Sequence, residues 1–244
     1  MRFIFGKYIG IFLLLVSSLY PKSLMAESLP SWIIPLREAV YEQILTSREV
    51  APIYILAKAE STKNFSGAAQ YVALSRCEYL MGRVFQFEDK KNEASARYAE
   101  GRKLAEMAIA IEPSAEAWVL AAENISQACA VNSVMFALAN GLSVEKYAKN
   151  ALTFNSRNAA AQYIIAARWV YAPSPFNNFN RGIEMMKAII TNGDMEKDDR
   201  FNVFVSIGYT YVQQKKYADA RQWLQRALNV YPSNKFAAEL LEKK

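Results

Sequence analysis

The sequence predicts an all-α fold, a right-handed α-solenoid of about four helix pairs with further helices at its two ends. Apolar residues recur along most of the chain at the spacing of one helical face. The composition agrees, because 52% of the 244 residues are hydrophobic while only 9 are glycine and 8 are proline. Long packed helices are therefore favoured over a turn-rich β fold.

The most regular helix pair lies near the C-terminus, from Phe201 to Pro232. Its first helix carries large residues and one glycine on a single face, and its second helix opposes them with alanines and a leucine. These positions are Phe204, Ile207, Gly208 and Tyr211 in the first helix, and Ala220, Leu224 and Ala227 in the second. The small residues allow the two helices to approach closely. Because one pair cannot bury this face alone, further pairs are expected to stack on it.

The same pattern recurs upstream and divides the chain into approximate segments. We expect helix pairs at residues 67–113, 114–157, 158–194 and 200–232, a capping helix at 234–243, and short helices within residues 27–66. The equivalent positions Ala108, Ala151, Ile189 and Ala227 lie about 40 residues apart, which is longer than the roughly 34 residues of a compact helix-pair repeat. The units are therefore predicted to be expanded.

Two segments depart from the regular pair. Cys129 to Gly141 adds about ten residues to the second pair, which indicates either a longer first helix or an elaborated corner. The second helix of that pair is then expected to run from Ser143 to Phe154. Pro173 to Asn178 is a proline-rich corner in the third pair, which we interpret as a structural staple, with a contact surface as the alternative.

Residues 1–26 have the pattern of a cleavable signal peptide. Arg2 and Lys7 supply the positive start, Tyr8 to Tyr20 is the apolar run, and Ala26 precedes the expected cut. The run is shorter than the roughly 20 residues that span a bilayer, which disfavours a membrane anchor. No cysteine lies near the cut, so a lipoprotein is not predicted. We therefore expect a mature chain without a transmembrane span, located in the periplasm.

Composition argues against several classes of function. The chain carries 29 basic and 23 acidic residues, and it contains no histidine. Part of the positive charge lies in the leader and no basic cluster is interleaved with aromatic residues, so nucleic acid is not an expected partner. Without histidine, and with only the two distant cysteines Cys77 and Cys129, no metal site or cofactor is predicted. A disulfide between these cysteines stays open at this point.

The pair from Phe201 to Pro232 resembles a tetratricopeptide repeat in its large, glycine, alanine and proline positions. The stretches EGRKLAEMAIAIEPSAEAW and ARWVYAPSPFNN, the latter followed by GIEMMKAI, resemble the regulator-of-microtubule-dynamics-like proteins. They also resemble the periplasmic repeat proteins associated with TRAP-type transporters. The resemblance covers roughly residues 70–240 and implies a scaffold or binding module. It implies a protein or peptide partner, of which the solute-binding protein of a transporter is one example.

In such a stack, the first helix of each pair lines the concave face, where binding residues are expected. Threading the regular pair onto the two preceding pairs predicts a groove that is partly aromatic and partly charged. Its predicted binding residues are Glu116, Glu123, Arg168, Tyr171, Tyr209 and Gln213. Alternatively, Glu123 and Arg168 pair with each other across adjacent helices and do no more than hold register.

The main functional prediction is a non-enzymatic scaffold that binds a protein or peptide through its concave face. The alternative is a carrier of a small apolar ligand, with Val131 to Ala139 lining a tunnel between the helices. An enzyme that uses Glu116 and Glu123 alone has the least support. Nucleophile motifs, phosphate-binding loops and metal-spaced clusters are all missing from the sequence.

Overall fold

The computed structural model describes residues 29–243 and contains eleven helices within that range. The predicted signal peptide lies outside the described residues. The helices are α1 (Ile34–Glu42), α2 (Ser47–Asn64), α3 (Gly67–Phe87), α4 (Lys91–Ile111), α5 (Ala115–Val131), α6 (Val134–Phe154), α7 (Ala159–Tyr171), α8 (Phe179–Asn192), α9 (Lys197–Gln213), α10 (Tyr217–Val230) and α11 (Lys235–Leu241). Within residues 29–243, no helix combines the length and the apolar character needed to cross a membrane.

Helices α3 to α10 form four successive helix pairs, which confirms the predicted all-α stack. A short corner reverses the chain within each pair, and the paired helices pack against each other. In the last pair, a Cβ atom added at Gly208 would lie 2.7 Å from Cδ2 of Leu224. A side chain there would force the helices apart, so glycine permits their close approach. The contact joins two positions of the predicted repeat pattern.

The corner of the second pair lies elsewhere than predicted. α5 ends at Val131 and α6 begins at Val134, so the additional residues lengthen the second helix rather than the first helix or the corner. The prediction that this second helix begins at Ser143 was wrong. Ser133 caps the observed start, because its side-chain oxygen accepts a hydrogen bond from the backbone N–H of Phe136. This local cap could be identified from the sequence, but the expected length of a repeat indicated a later start for the helix.

α2 runs from Ser47 to Asn64 and is the longer of the two helices that precede the first pair. Its start is fixed by a capping box, in which Thr46 and Glu49 exchange hydrogen bonds between side chain and backbone. Near its end, Ser61 accepts a hydrogen bond of 3.1 Å from the indole N–H of Trp32. α2 therefore anchors the segment that leads into α1.

The two ends of the described chain meet through α1. This helix packs on α2 and α3, while its Tyr41 ring stacks on Tyr231 with centroids 4.9 Å apart and meets Phe201 edge-on at 5.6 Å. The side-chain amide of Asn234 donates a hydrogen bond of 2.7 Å to the backbone carbonyl of Tyr41. α1 thus covers part of the inner face, by which we mean the side formed by the first helices α3, α5, α7 and α9.

Candidate functional site

A cavity of about 330 Å³ lies on the inner face, between α1, α3 and the N-terminal ends of α5, α7 and α9. We call it the central cavity. A shallower depression of about 410 Å³ adjoins it at the corner of residues 152–157. The charged residues that line the central cavity are Arg37, Arg76, Glu116, Glu123, Asp194, Glu196, Asp198 and Asp199. These side chains come from four separate regions of the sequence, so the cavity depends on the stacking of the helices.

Arg76 of α3 joins two of the predicted binding residues on one wall of the cavity. One terminal nitrogen of its guanidinium lies 2.7 Å from a carboxylate oxygen of Glu123, and the other binds Glu116. Glu116 lies in the first turn of α5, where the N-terminal end of the helix dipole favours a negative charge. Glu123 lies two turns further along the same face. The Nε atom of Arg76 is buried and has no hydrogen-bond partner among the described residues.

The opposite wall is formed by α1 and the start of α9. Arg37 of α1 lies 3.4 Å from Glu196 and 3.6 Å from Asp198, measured between guanidinium nitrogens and carboxylate oxygens. Asp199 caps α9, because its carboxylate accepts a hydrogen bond of 3.0 Å from the backbone N–H of Glu196. Three acidic residues are therefore collected at one helix start, where the helix dipole partly offsets their mutual repulsion.

Several carboxyl groups of the cavity hold their protons more tightly than usual. Burial raises the pKa of Glu123 to about 7, although the cation of Arg76 opposes this rise. Burial and the neighbouring charge of Asp198 raise the pKa of Asp199 well above its usual range, and the same two causes raise the pKa of Glu196. The lining contains six carboxylates against two guanidiniums. When these carboxyl groups are ionised, the negative charges in the lining therefore outnumber the positive ones.

Arg168 lies outside this cluster, and the predicted alternative of a pair between Glu123 and Arg168 was wrong. Its guanidinium binds a carboxylate oxygen of Glu145 on α6 at 2.6 Å. It also lies over the ring of Trp169 at 5.0 Å from the centroid. More than half of the Arg168 side chain is exposed. Glu123 instead forms its ion pair with Arg76 of α3.

The predicted aromatic residues lie together at the other end of the inner face. The rings of Tyr171 and Tyr209 have centroids 5.2 Å apart, and Phe236 of α11 follows at 6.5 Å from Tyr209. We call these three residues the aromatic row. The hydroxyl of Tyr171 shares a hydrogen bond of 2.7 Å with that of Ser206, while its side chain remains 45% exposed. Gln213 is exposed, one helical turn beyond Tyr209.

Sequence reasoning missed most of the charged residues of the central cavity and one residue of the aromatic row, among them Arg37, Arg76, Asp198 and Phe236. A signal existed for Arg76, because α3 is a largely apolar helix with only three charged residues, Arg76, Glu78 and Arg83. A charge in such a helix requires a partner when the helix is buried. For Arg37 and Phe236 the sequence offered no comparable signal, since their positions depend on where α1 and α11 dock.

One further prediction was wrong in the structure. Val134, Met135 and Leu138 were proposed to line a tunnel, but they are 70–75% exposed on the outer surface of α6. The sequence left a disulfide between Cys77 and Cys129 open; both cysteines are free, and Cys77 is buried. Among residues 29–243, no group of three or more acidic or cysteine side chains has a metal-binding arrangement.

Comparison with known proteins gives similarity only to solved structures. No protein-family model matches the chain, and no curated protein matches it. The chain is similar to YrrB, which is described as a tetratricopeptide-repeat protein with an unusual peptide-binding site. The two sequences are 13% identical, the match covers 88% of this chain and 98% of that chain, and the TM-score is 0.37. It is also similar to the Cut9–Hcn1 hetero-tetramer of the APC/C, with 10% identity, coverage of 86% and 54%, and a TM-score of 0.30. At this level of similarity, neither structure bears on the function of the site.

Proposed function

We propose that the chain is a non-enzymatic binding module that takes a positively charged group of a protein or peptide partner into the central cavity. The observation that carries the proposal is the excess of acidic side chains over guanidiniums in the lining of the central cavity on the inner face. A lysine or arginine side chain, or a free amino terminus, supplies the missing charge. Ion pairing inside a cavity of low dielectric is stronger than on an open surface.

The size of the cavity limits what enters it. Its volume of about 330 Å³ is at the lower end of ligand pockets, so it accommodates a side chain or a chain terminus rather than a folded domain. The remainder of the partner then lies along the rim of the inner face. The aromatic row supplies apolar contact area there, because Tyr171 and Phe236 are 45% and 39% exposed.

The acids that face the entering cation differ in their existing partners. Glu116 and Glu123 already share Arg76, whereas among the described residues Asp198 has only the longer contact of 3.6 Å with Arg37. Asp199 is engaged by the backbone of Glu196. Of these four carboxylates, Asp198 therefore has the charge that is least compensated, so it is expected to interact most strongly with a bound cation.

Isothermal titration calorimetry with short synthetic peptides tests the proposal. A peptide with lysines and a free amino terminus is expected to bind, while a matched peptide with glutamates in place of the lysines is not. Asp198→Asn is expected to weaken binding of the lysine peptide by about tenfold or more, because it removes a partly buried charge. Asp219→Asn is the matched control, since Asp219 is exposed on α10 and does not line the cavity.

Equal affinity of the two variants would contradict the cavity as the binding site, and preferential binding of the glutamate peptide would contradict the charge argument. Affinity for the lysine peptide is further expected to rise from about pH 6 to about pH 8, as Glu123 loses its proton.

We also propose that the mature chain works in the periplasm, beside the solute-binding protein of a transporter. The support is the leader pattern of residues 1–26 and the family resemblance of residues 70–240. In a Gram-negative host, the chain is expected in the periplasmic fraction with a mass that lacks the leader. Recovery of the full-length mass from the cytoplasm would contradict export. A photo-crosslinker at Phe236 is expected to capture the solute-binding protein, and failure to do so in the native host would contradict that partner.

A further inference from the structure

The first half of α6 exposes an apolar surface on the outside of the stack. Val134, Met135, Leu138 and Leu142 are 75%, 73%, 70% and 83% exposed. We call these four residues the α6 stripe. Val134, Leu138 and Leu142 are each four positions apart, so they lie on one face of the helix. Single exposed apolar residues are ordinary on protein surfaces, but a continuous row of four on one helix indicates a contact surface.

The opposite face of this helix is already engaged, so only the stripe is available to a partner. Phe136 packs against the main hydrophobic core. Asn140 accepts a hydrogen bond of 3.4 Å from Arg102 of α4. α6 therefore has a fixed orientation on the stack, and the stripe points away from it.

We propose that the α6 stripe binds the same stripe of a second copy of this chain, with the two helices antiparallel across a two-fold axis. In that arrangement Leu138 meets Leu138 of the second copy at the axis. Val134 of each copy then meets Leu142 of the other. A two-fold contact requires a surface that is complementary to itself, and an apolar row with regular spacing meets that requirement.

Charge permits a second copy as the occupant. Residues 132–144 contain no charged side chain, so contact there brings no like charges together. A lipid surface is less suited, because helices that lie on membranes carry lysine and arginine along the flanks of their apolar face.

The extent of the surface also suits a dimer. At roughly 100–150 Å² for each side chain, the stripe removes about 500 Å² from water on each copy, or about 1,000 Å² in total, which is the lower bound of a specific protein–protein interface. Gly141 adds to the fit, because nothing lies within 4 Å of a Cβ atom placed there. The backbone of a second helix therefore finds open space beside the stripe.

Sedimentation velocity of the purified protein tests the proposal. The wild type is expected at twice the monomer mass, and Leu138→Glu is expected at the monomer mass with an unchanged far-ultraviolet circular dichroism spectrum. Ile55→Glu is the matched control, because Ile55 on α2 is 64% exposed and lies outside the stripe. This variant is expected to remain dimeric. A monomeric wild type at concentrations up to about 100 µM would overturn the proposal, because standard interfaces form well below that concentration.

Disulfide trapping tests the antiparallel register in a Cys129→Ser background. Leu138→Cys is expected to form a covalent dimer by itself on mild oxidation. Val134→Cys is expected to crosslink to Leu142→Cys in a mixture of the two variants but not to itself. Self-crosslinking of Val134→Cys, without the mixed product, would overturn the antiparallel arrangement. Vesicle binding by a monomeric wild type, lost in Leu138→Glu, would assign the stripe to a lipid surface instead.

Discussion

Helix α1 and the first half of α6 both add apolar residues to the regular helix pairs, yet these residues face opposite environments. Leu36 and Tyr41 of α1 are 0% and 1% exposed, because α1 lies between the two ends of the stack. Leu138 and Leu142 of α6 are 70% and 83% exposed. The same kind of residue is thus buried by the chain itself in one segment and left to solvent in the other. Hydrophobicity marks a surface for contact but does not say whether the contact is internal.

Leucine truncation gives the largest expected difference between the two segments. Leu36→Ala is expected to lower the free energy of unfolding by about 2–5 kcal/mol, because it leaves a cavity where α1 packs on the stack. Urea denaturation followed by circular dichroism measures this change. A loss below about 1 kcal/mol would mean that α1 is not packed as described.

The ionisation of Glu123 is expected to affect the stability of the inner face and not that of the α6 stripe. The folded chain holds this proton up to about pH 7, whereas the unfolded chain releases it near pH 4.5. The stabilising effect of the bound proton is therefore fully present below pH 4.5 and is lost as the pH rises to about 7. The loss amounts to about 3 kcal/mol in the free energy of unfolding. Glu123→Gln is expected to abolish it.

Glu145→Gln on α6 is the control with the opposite sign. Its hydrogen bond with Lys149 lowers the pKa of Glu145, so this group contributes stability above its ordinary pKa and loses it as the pH falls. The two variants are compared by urea denaturation across the acidic and neutral range. If Glu123→Gln left the pH dependence unchanged, the carboxyl group would not be buried beside Arg76 as described.

The hydroxyl of Tyr41 tests the polar part of the α1 contact. It accepts a hydrogen bond of 3.1 Å from the side-chain amide of Asn202 on α9. Tyr41→Phe is expected to cost about 1 kcal/mol of unfolding free energy. A double-mutant cycle with Asn202→Ala isolates the pair, and additive effects of the two changes would show that the bond does not form in solution.

The smallest effect is expected at the α6 stripe. Leu142→Ala repeats the leucine truncation on an exposed helix face, so it is expected to change the free energy of unfolding by less than about 0.5 kcal/mol. The measurement is made in the Leu138→Glu background, which keeps copies of the chain apart. A loss as large as that of Leu36→Ala would show that the stripe is buried within one copy.

The candidate site was partly predictable for a local reason. Glu116, Glu123, Tyr171 and Tyr209 lie on the first helices of successive pairs, and helical spacing was enough to select them. Their partners were not predictable in the same way. Arg76, Arg37 and Phe236 reach the inner face from other pairs and from the end helices, and no spacing in the sequence relates them to the groove. The wrong partner predicted for Glu123, Arg168, follows from this limit.

The sequence by itself determined the helices, their pairing and the points of closest approach, because apolar spacing and small residues such as Gly208 act between neighbours in the chain. Tertiary structure decided what the inner face contains. Tyr41 meets Tyr231, and Arg76 meets Glu116 and Glu123, only because the stack brings distant helices together. It also decided that the apolar residues in the first half of α6 face solvent. Each of these outcomes depends on the relative placement of whole helices, which periodicity along a single helix does not encode.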